Sequence, residues 1–192
     1  MKLIILDRDG VINQDRDDFV KSADEWIPIE GSMDAIAFLT QAGYTVAVAT
    51  NQSGIGRKYF TVQDLTEMHA KMHRLAVQAG GAIDGIWFCP HTAADNCDCR
   101  KPKPGMICDI LERFKADPAE TWLVGDSLRD LQAIDAAGGK SALVLTGKGK
   151  KTLAKHEQDL PEHTQVFDNL LAFSQYIMRE NTQIEEAAQA IL

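Results

Sequence analysis

The chain has 192 residues, 45% of them hydrophobic and 25% charged, with a net charge of −8. An acidic balance disfavours a nucleic-acid binder held by phosphate contacts, which needs a basic field. No apolar run approaches the ~20 residues that a bilayer span requires, which excludes a membrane-spanning helix. The first apolar run, Leu3–Leu6, stops at Asp7 and is too short for a secretory h-region, so a cytoplasmic location is the expectation. In a reducing compartment the four cysteines read as metal ligands, a nucleophile or core thiols before disulfides.

The predicted elements alternate strand and helix. Leu3–Leu6 is a short buried strand, followed by a polar loop over residues 13–21. Gly31-Ser32 opens a helix carrying Met33, Ile36, Ala37, Phe38 and Leu39, which Gly43 closes. A second strand spans residues 44–49 and ends at Thr50-Asn51. Thr61 and Asp64 are spaced as a capping box, and Leu65, Met68, Met72, Leu75 and Ala76 form the apolar stripe of the helix behind them.

A third strand covers residues 83–88, and a cysteine-rich loop runs over residues 89–103. Pro104 suits a helix first turn, with Met106, Ile107, Ile110, Leu111 and Phe114 as the apolar face behind it. Residues 122–124 form a fourth strand, Ser127 caps a helix to about Ala137, and residues 142–145 form a fifth strand. Val166-Phe167 is a short sixth strand before a helix over residues 170–178. This rhythm predicts an α/β fold, a three-layer Rossmann-like parallel sheet with helices on both faces. Residues 1–180 form one domain, and residues 181–192 are a tail that could add helical turns. No long insertion follows the first or third strand, so no large cap domain is expected.

Polar residues leave the strands in a pattern. Asp7 and Asp9 follow the first strand, Thr50 the second, Arg100 and Lys101 lie after the third, and Asp126 and Asp130 follow the fourth. In an open parallel sheet all of these gather at the carboxyl ends, where ligands bind. Taken singly, Thr50 reads as an ordinary strand-end residue, Lys101 as a solvated charge and Asp126 as a helix cap. The ordered set raises them together, because carboxylates can hold a hard cation and one can attack phosphorus.

The loop after the third strand presents two ligand pairs, Cys89-x-His91 and Cys97-x-Cys99, whose donors suit tetrahedral zinc with no position open for water. A buried thiol pair or a Cys97–Cys99 disulfide is the alternative, the latter a strained ring. Cys108 lies on an apolar helix and reads as a core thiol.

Asp7-Arg8-Asp9-Gly10, Thr50-Asn51-Gln52-Ser53-Gly54-Ile55, Cys89-Pro90-His91 with Cys97-Asp98-Cys99-Arg100-Lys101-Pro102-Lys103-Pro104-Gly105, and Gly125-Asp126 with Asp130 together resemble the haloacid-dehalogenase-like phosphatase superfamily. Within it they are most similar to the capless histidinol-phosphate and D,D-heptose 1,7-bisphosphate phosphatases. The resemblance implies Asp7 as nucleophile through an aspartyl-phosphate, and Asp9 as general acid and then base. It implies Mg²⁺ held by Asp7, the Asp9 carbonyl and Asp126, with Asp130 supporting the site through waters. Thr50 and Lys101 would bind the transferring phosphoryl group. It also implies structural zinc on Cys89, His91, Cys97 and Cys99. Because that loop leads straight into Arg100 and Lys101, metal binding is expected to position those two cations over the substrate.

The implied substrate is a small phosphorylated sugar, D-glycero-D-manno-heptose 1,7-bisphosphate, cleaved at C7 on the way to ADP-heptose for lipopolysaccharide core. Histidinol phosphate is the second reading, and a catalytically inactive zinc-stabilised binding module the third. A second phosphate demands extra cations. Arg100 leads, with Arg57, Lys58 and Lys103 as additions, and Asn51 is expected at the substrate as well. Two departures from the commoner family form stand out: residues 14–21 lack a Gly-Tyr pair, and Ser127 replaces a lysine after Asp126. Residues 15–18 form a solvated loop beside the site. His69 and His73, although spaced i, i+4, read as packing or solvated residues, and residues 147–152 as a turn and helix start with Lys148 bordering the site. A monomer is the default expectation.

Overall fold

The computed structural model describes residues 1–189, with side chains described through residue 183. Its elements in chain order are β1 (Leu3–Leu6), α1 (Ser32–Gln41), β2 (Thr45–Asn51), α2 (Ser53–Gly56), α3 (Val62–Gln78), β3 (Gly85–Cys89), α4 (Gly105–Phe114), β4 (Trp122–Gly125), α5 (Leu128–Ala136), β5 (Lys140–Val144), α6 (Gly149–His156), β6 (Gln165–Phe167) and α7 (Leu170–Gln189). All strands pair in parallel, in the order β3-β2-β1-β4-β5-β6. The connection direction reverses at β1, so β1 and β4 stand side by side although residues 7–121 separate them in sequence. That reversal is the crevice where open parallel sheets bind ligands.

Strand residues alternate between two faces, and each face has its own helices. Ile4, Leu6, Val46, Val48, Val124, Ala142 and Val144 pack with α1, α3 and α7 through Ile36, Leu39, Leu65, Met68, Met72, Phe173 and Ile177. Leu3, Ile5, Ala47, Ala49 and Leu123 pack with α4 and α5 through Met106, Ile107, Ile110, Ala133 and Ile134. Burial on both faces is why β1, β2 and β4 read as unbroken apolar runs rather than alternating ones.

The capping box at α3 forms: Thr61 Oγ1 accepts from the Asp64 N–H at 3.1 Å, and Asp64 Oδ2 accepts from the Thr61 N–H at 2.7 Å. Several boundaries differ from expectation. β2 runs on through Thr50 and Asn51, which pair with Phe88 and Cys89, so these two polar residues are strand residues rather than loop. Cys89 accordingly closes β3 instead of opening the loop. Cys108 is exposed, because its side chain falls on the outer side of α4. α7 continues past residue 178 through Gln189 and so takes in most of the tail, whose last residues, 190–192, lie outside the described part. α2 was not legible in Ser53–Gly56, whose glycines carry no helical preference.

Candidate active site

Asp7 follows β1 directly and Asp126 follows β4, so adjacent strands deliver both carboxylates to one point. One carboxylate oxygen from each of Asp7, Asp126 and Asp130 lies within 4.8 Å of the others. Gly10 and Gly147 make room for this. Both have positive φ, +84° and +54°, and a Cβ on either would collide with Asp126 Oδ2. The same oxygen accepts from the Lys148 N–H at 2.8 Å. Asp126 therefore does not cap α5. Ser127 does, with Asp130 Oδ2 accepting from the Ser127 N–H at 3.1 Å.

Lys101 is buried in the middle of this group. Its Nζ lies 3.1 Å from Asp7 Oδ1 and 2.7 Å from Asp130 Oδ1, and donates to the Ala49 carbonyl at 2.6 Å. Asp130 thus acts by direct ion pairing with Lys101. Asp7 Oδ1 also accepts from the Arg8 N–H at 2.8 Å, so this oxygen is fixed and the carboxylate is oriented by it. Asn51 binds the Lys101 backbone on both sides, donating to its carbonyl at 3.0 Å and accepting from its N–H at 3.2 Å. The structure therefore places Asn51 under Lys101, holding the lysine to the end of β2.

Asp9 sits in a separate cage. Arg8 reaches it through Nη2 at 2.9 and 3.0 Å and through Nε at 3.3 Å, Asn13 Nδ2 donates to it at 2.9 Å, and Gln52 Nε2 at 2.8 Å. The tight turn that folds residues 8–13 back on themselves, with the Ile12 N–H donating to the Arg8 carbonyl at 2.8 Å, brings Asn13 to Asp9. Gln52 also donates to Thr50 Oγ1 at 2.8 Å, tying the buried Thr50 into the same network.

These surroundings split the carboxylates. Burial, then repulsion from Asp130, raises Asp7 to about 6, and burial with Asp130 and Asp7 raises Asp126 well above its ordinary value. Burial pushes Asp9 upward too, but Arg8 and the bonds from Asn13, Arg8 and Gln52 outweigh it and hold Asp9 below the usual carboxylate range. For Asp130 the Lys101 and Arg129 charges likewise outweigh burial and keep it ionised. Lys101 and Arg129 offset only part of the burial and mutual repulsion that raise Asp7, and two raised carboxylates facing each other are the setting a divalent ion fits.

The cleft over these residues has a volume of about 190 Å³, and its walls include Arg16, Arg100, Arg129 and Lys148. Arg100 donates to the His91 carbonyl at 3.2 Å. Lys148 pairs with Asp15 at 2.9 Å and Arg16 with Asp18 at 2.9 Å, whereas Arg129 makes no ion pair or hydrogen bond among the described residues. Arg57 and Lys58 are exposed and do not line this cleft, and Lys103 is committed to Asn96 and Asp98. Arg100, Arg129 and Lys148 are thus cations that line the cleft, and Arg57 does not line it.

Cys89, His91, Cys97 and Cys99 converge at the end of β3. Cys89 Sγ lies 3.6 Å from both His91 Nδ1 and Cys97 Sγ, and Cys99 Sγ lies 3.4 Å from His91 Nδ1 and 3.5 Å from Cys97 Sγ. Zinc with Zn–S bonds of ~2.3 Å has tetrahedral edges of ~3.7 Å, so the donor set fits that ion.

Arg8, Asn13, Gln52 and Arg129 have site roles that their sequence positions did not announce. The one signal Arg8 carried was its place between the two strand-end aspartates.

A HAD-hydrolase-like family model matches residues 98–173. A D-glycero-beta-D-manno-heptose-1,7-bisphosphate 7-phosphatase of Neisseria meningitidis serogroup B is 85% identical over 95% of this chain and 97% of its own. The chain belongs to this family of phosphatases. Its Bordetella bronchiseptica member is 55% identical over 94% of the chain and 99% of its own. The crystal structure of D,D-heptose 1,7-bisphosphate phosphatase from that species, complexed with magnesium and phosphate, matches with a TM-score of 0.91 over 94% of this chain and 99% of that one. A Burkholderia thailandensis relative of the same name, 50% identical, matches with a TM-score of 0.74 over 93% and 99%.

Proposed function

We propose that the chain is a Mg²⁺-dependent phosphoric monoester hydrolase that removes the C7 phosphate of D-glycero-D-manno-heptose 1,7-bisphosphate through an aspartyl-phosphate on Asp7. The observation that carries the mechanism is the fixing of Asp7 Oδ1 by Lys101 at 3.1 Å and the Arg8 N–H at 2.8 Å. Holding one oxygen aims the other at an incoming phosphorus, which is the positioning that in-line transfer needs. Asp7 and Asp126, with the Asp9 carbonyl, would hold Mg²⁺. When bound, the ion neutralises charge on the transferring phosphoryl oxygens. Lys101 and Thr50 bind those oxygens in the same transfer.

Asp9 donates a proton to the leaving sugar oxygen and then takes one from the attacking water. Its low resting pKa suits the second step. The dianionic phosphate arriving beside it raises that pKa, the direction the first step needs. Arg129, which lines the cleft with no hydrogen bond or ion pair to its side chain among the described residues, and Arg100 supply the charge for the second phosphate, which favours the bisphosphate over histidinol phosphate. Zinc on the Cys89–Cys99 loop is structural in this reading, its closed donor set leaving no position for substrate, and the enzyme works as a cytoplasmic monomer.

Turnover of the bisphosphate with Mg²⁺, lost in Asp7→Asn, tests the nucleophile. A higher kcat/KM for histidinol phosphate than for the heptose bisphosphate would overturn the substrate assignment.

A further inference from the structure

The Arg8 side chain is fully buried, and two of its three nitrogens are spent on Asp9. The third, Nη1, faces His69 Nε2 at 3.4 Å. His69 belongs to α3, on the outer side of the sheet, and its ring meets the Phe88 ring edge-on at 6.4 Å. A guanidinium has five N–H groups and no acceptor, so the His69 nitrogen facing it must be the unprotonated one, and the ring proton then sits on Nδ1. Burial, and next the Arg8 charge, hold His69 down to about 4, so the ring is neutral and able to accept across the working pH range.

We propose that His69 is a positioning residue for Asp9: by accepting from Arg8 Nη1 it locks the guanidinium plane that orients the Asp9 carboxylate. This rests on the acid–base reading of Asp9 given above. Asn13 and Gln52 each fix one oxygen of that carboxylate by a single bond. Among the described residues Arg8 alone bonds both oxygens, so it sets the plane of the carboxylate, and the one other side chain that its guanidinium meets is His69. Loss of the acceptor leaves a buried N–H unpaired and frees the guanidinium to turn toward another partner, carrying Asp9 with it.

General-acid help matters for a sugar alkoxide, which leaves poorly, and little for p-nitrophenolate, which leaves without a proton. Because kcat/KM reports only steps through the first phosphoryl transfer, the two substrates separate this role from general damage. His69→Leu is expected to lower kcat/KM about tenfold on the heptose bisphosphate and to leave p-nitrophenyl phosphate within about twofold, since small misplacements of a catalytic group cost on this order or more. His69→Gln, whose amide oxygen can reach Arg8, should restore most of the loss, and His69→Asn, which is too short, should not.

In the wild type, long-range ¹H–¹⁵N spectra should show the His69 proton on Nδ1. A uniform fall on both substrates, no fall on either, or a proton on Nε2 would overturn the proposal. Asp9→Asn is the control. A larger split of the same kind supports the acid–base reading, whereas equal effects on both substrates overturn that reading itself.

Discussion

Replacing Lys101 with methionine removes the one cation that lies between two buried carboxylates, 3.1 Å from Asp7 and 2.7 Å from Asp130. Methionine keeps the length and the apolar stem, so packing changes little and the loss is that of a charge. Breaking a buried ion pair by removing one partner costs about 3–5 kcal/mol, because the remaining charge is uncompensated. Asp7 offsets part of this by taking up a proton, its pKa already raised to about 6 by burial and Asp130. For a chain of this size, ~3–5 kcal/mol corresponds to a fall in Tm of roughly 6–20 °C, and the offset puts the expectation in the lower half. The deficit should be smaller at pH 5 than at pH 8, since protonation relieves the same repulsion. Thermal unfolding in Mg²⁺-free buffer without a chelator reads the effect without Mg²⁺ masking it and leaves the zinc loop undisturbed. The double variant Lys101→Met/Asp130→Asn should regain much of the stability, as contacting charges couple non-additively. It should regain none of the activity, which falls by about 10²–10³ when a transition-state donor is lost. A Lys101→Met protein with wild-type Tm at pH 8 in Mg²⁺-free buffer would refute this account of the site's electrostatics.

The raised Asp7 makes stability itself depend on metal and pH. A group whose folded pKa is above its unfolded value favours folding when protonated, so without metal this contribution is lost as pH rises from about 4 through about 6. The Tm gain on adding Mg²⁺ should therefore be larger at pH 7.5 than at pH 5, and a gain that shrinks with pH would contradict the assigned ligands. Arg129→Ala should lower kcat/KM for the bisphosphate by at least tenfold and leave a sugar monophosphate nearly unchanged, as charge-assisted contacts are worth ~1.5–3 kcal/mol. Gly10→Ala forces a Cβ into Asp126 Oδ2 at a φ of +84°, so it should cut Mg²⁺-dependent turnover and lower Tm together. Elemental analysis should find one zinc per chain. Its removal should lower activity while the Mg²⁺ response of the folded protein persists, and full activity in zinc-free folded protein would show that the loop does not position Arg100 and Lys101.

Asp7 and Asp126 were legible in the sequence because each ends an apolar run, and a parallel sheet sends every strand's carboxyl end to the same edge. The cluster of Cys89, His91, Cys97 and Cys99 was legible because close pairs of soft donors in a loop have few other uses. Helix stripes fixed α3 and α4 for the same reason, a period that only one face can satisfy. The residues that went unread are those whose role depends on an interaction with no sequence period. Arg57 and Arg129 have equal chemistry on paper. The first caps a short helix in solvent, and the second rides the first turn of α5, which Ser127 and Asp130 start directly over the cleft. Arg8 and His69 stand sixty-one positions apart, and nothing local in either segment links them. Their meeting is set by the shared core on that face of the sheet, where Leu65, Met68 and Met72 of α3 lie in one buried cluster with Ile4 and Leu6 of β1. The apolar stripe on α3, readable as mere core, is therefore also what carries an imidazole to within reach of the buried arginine.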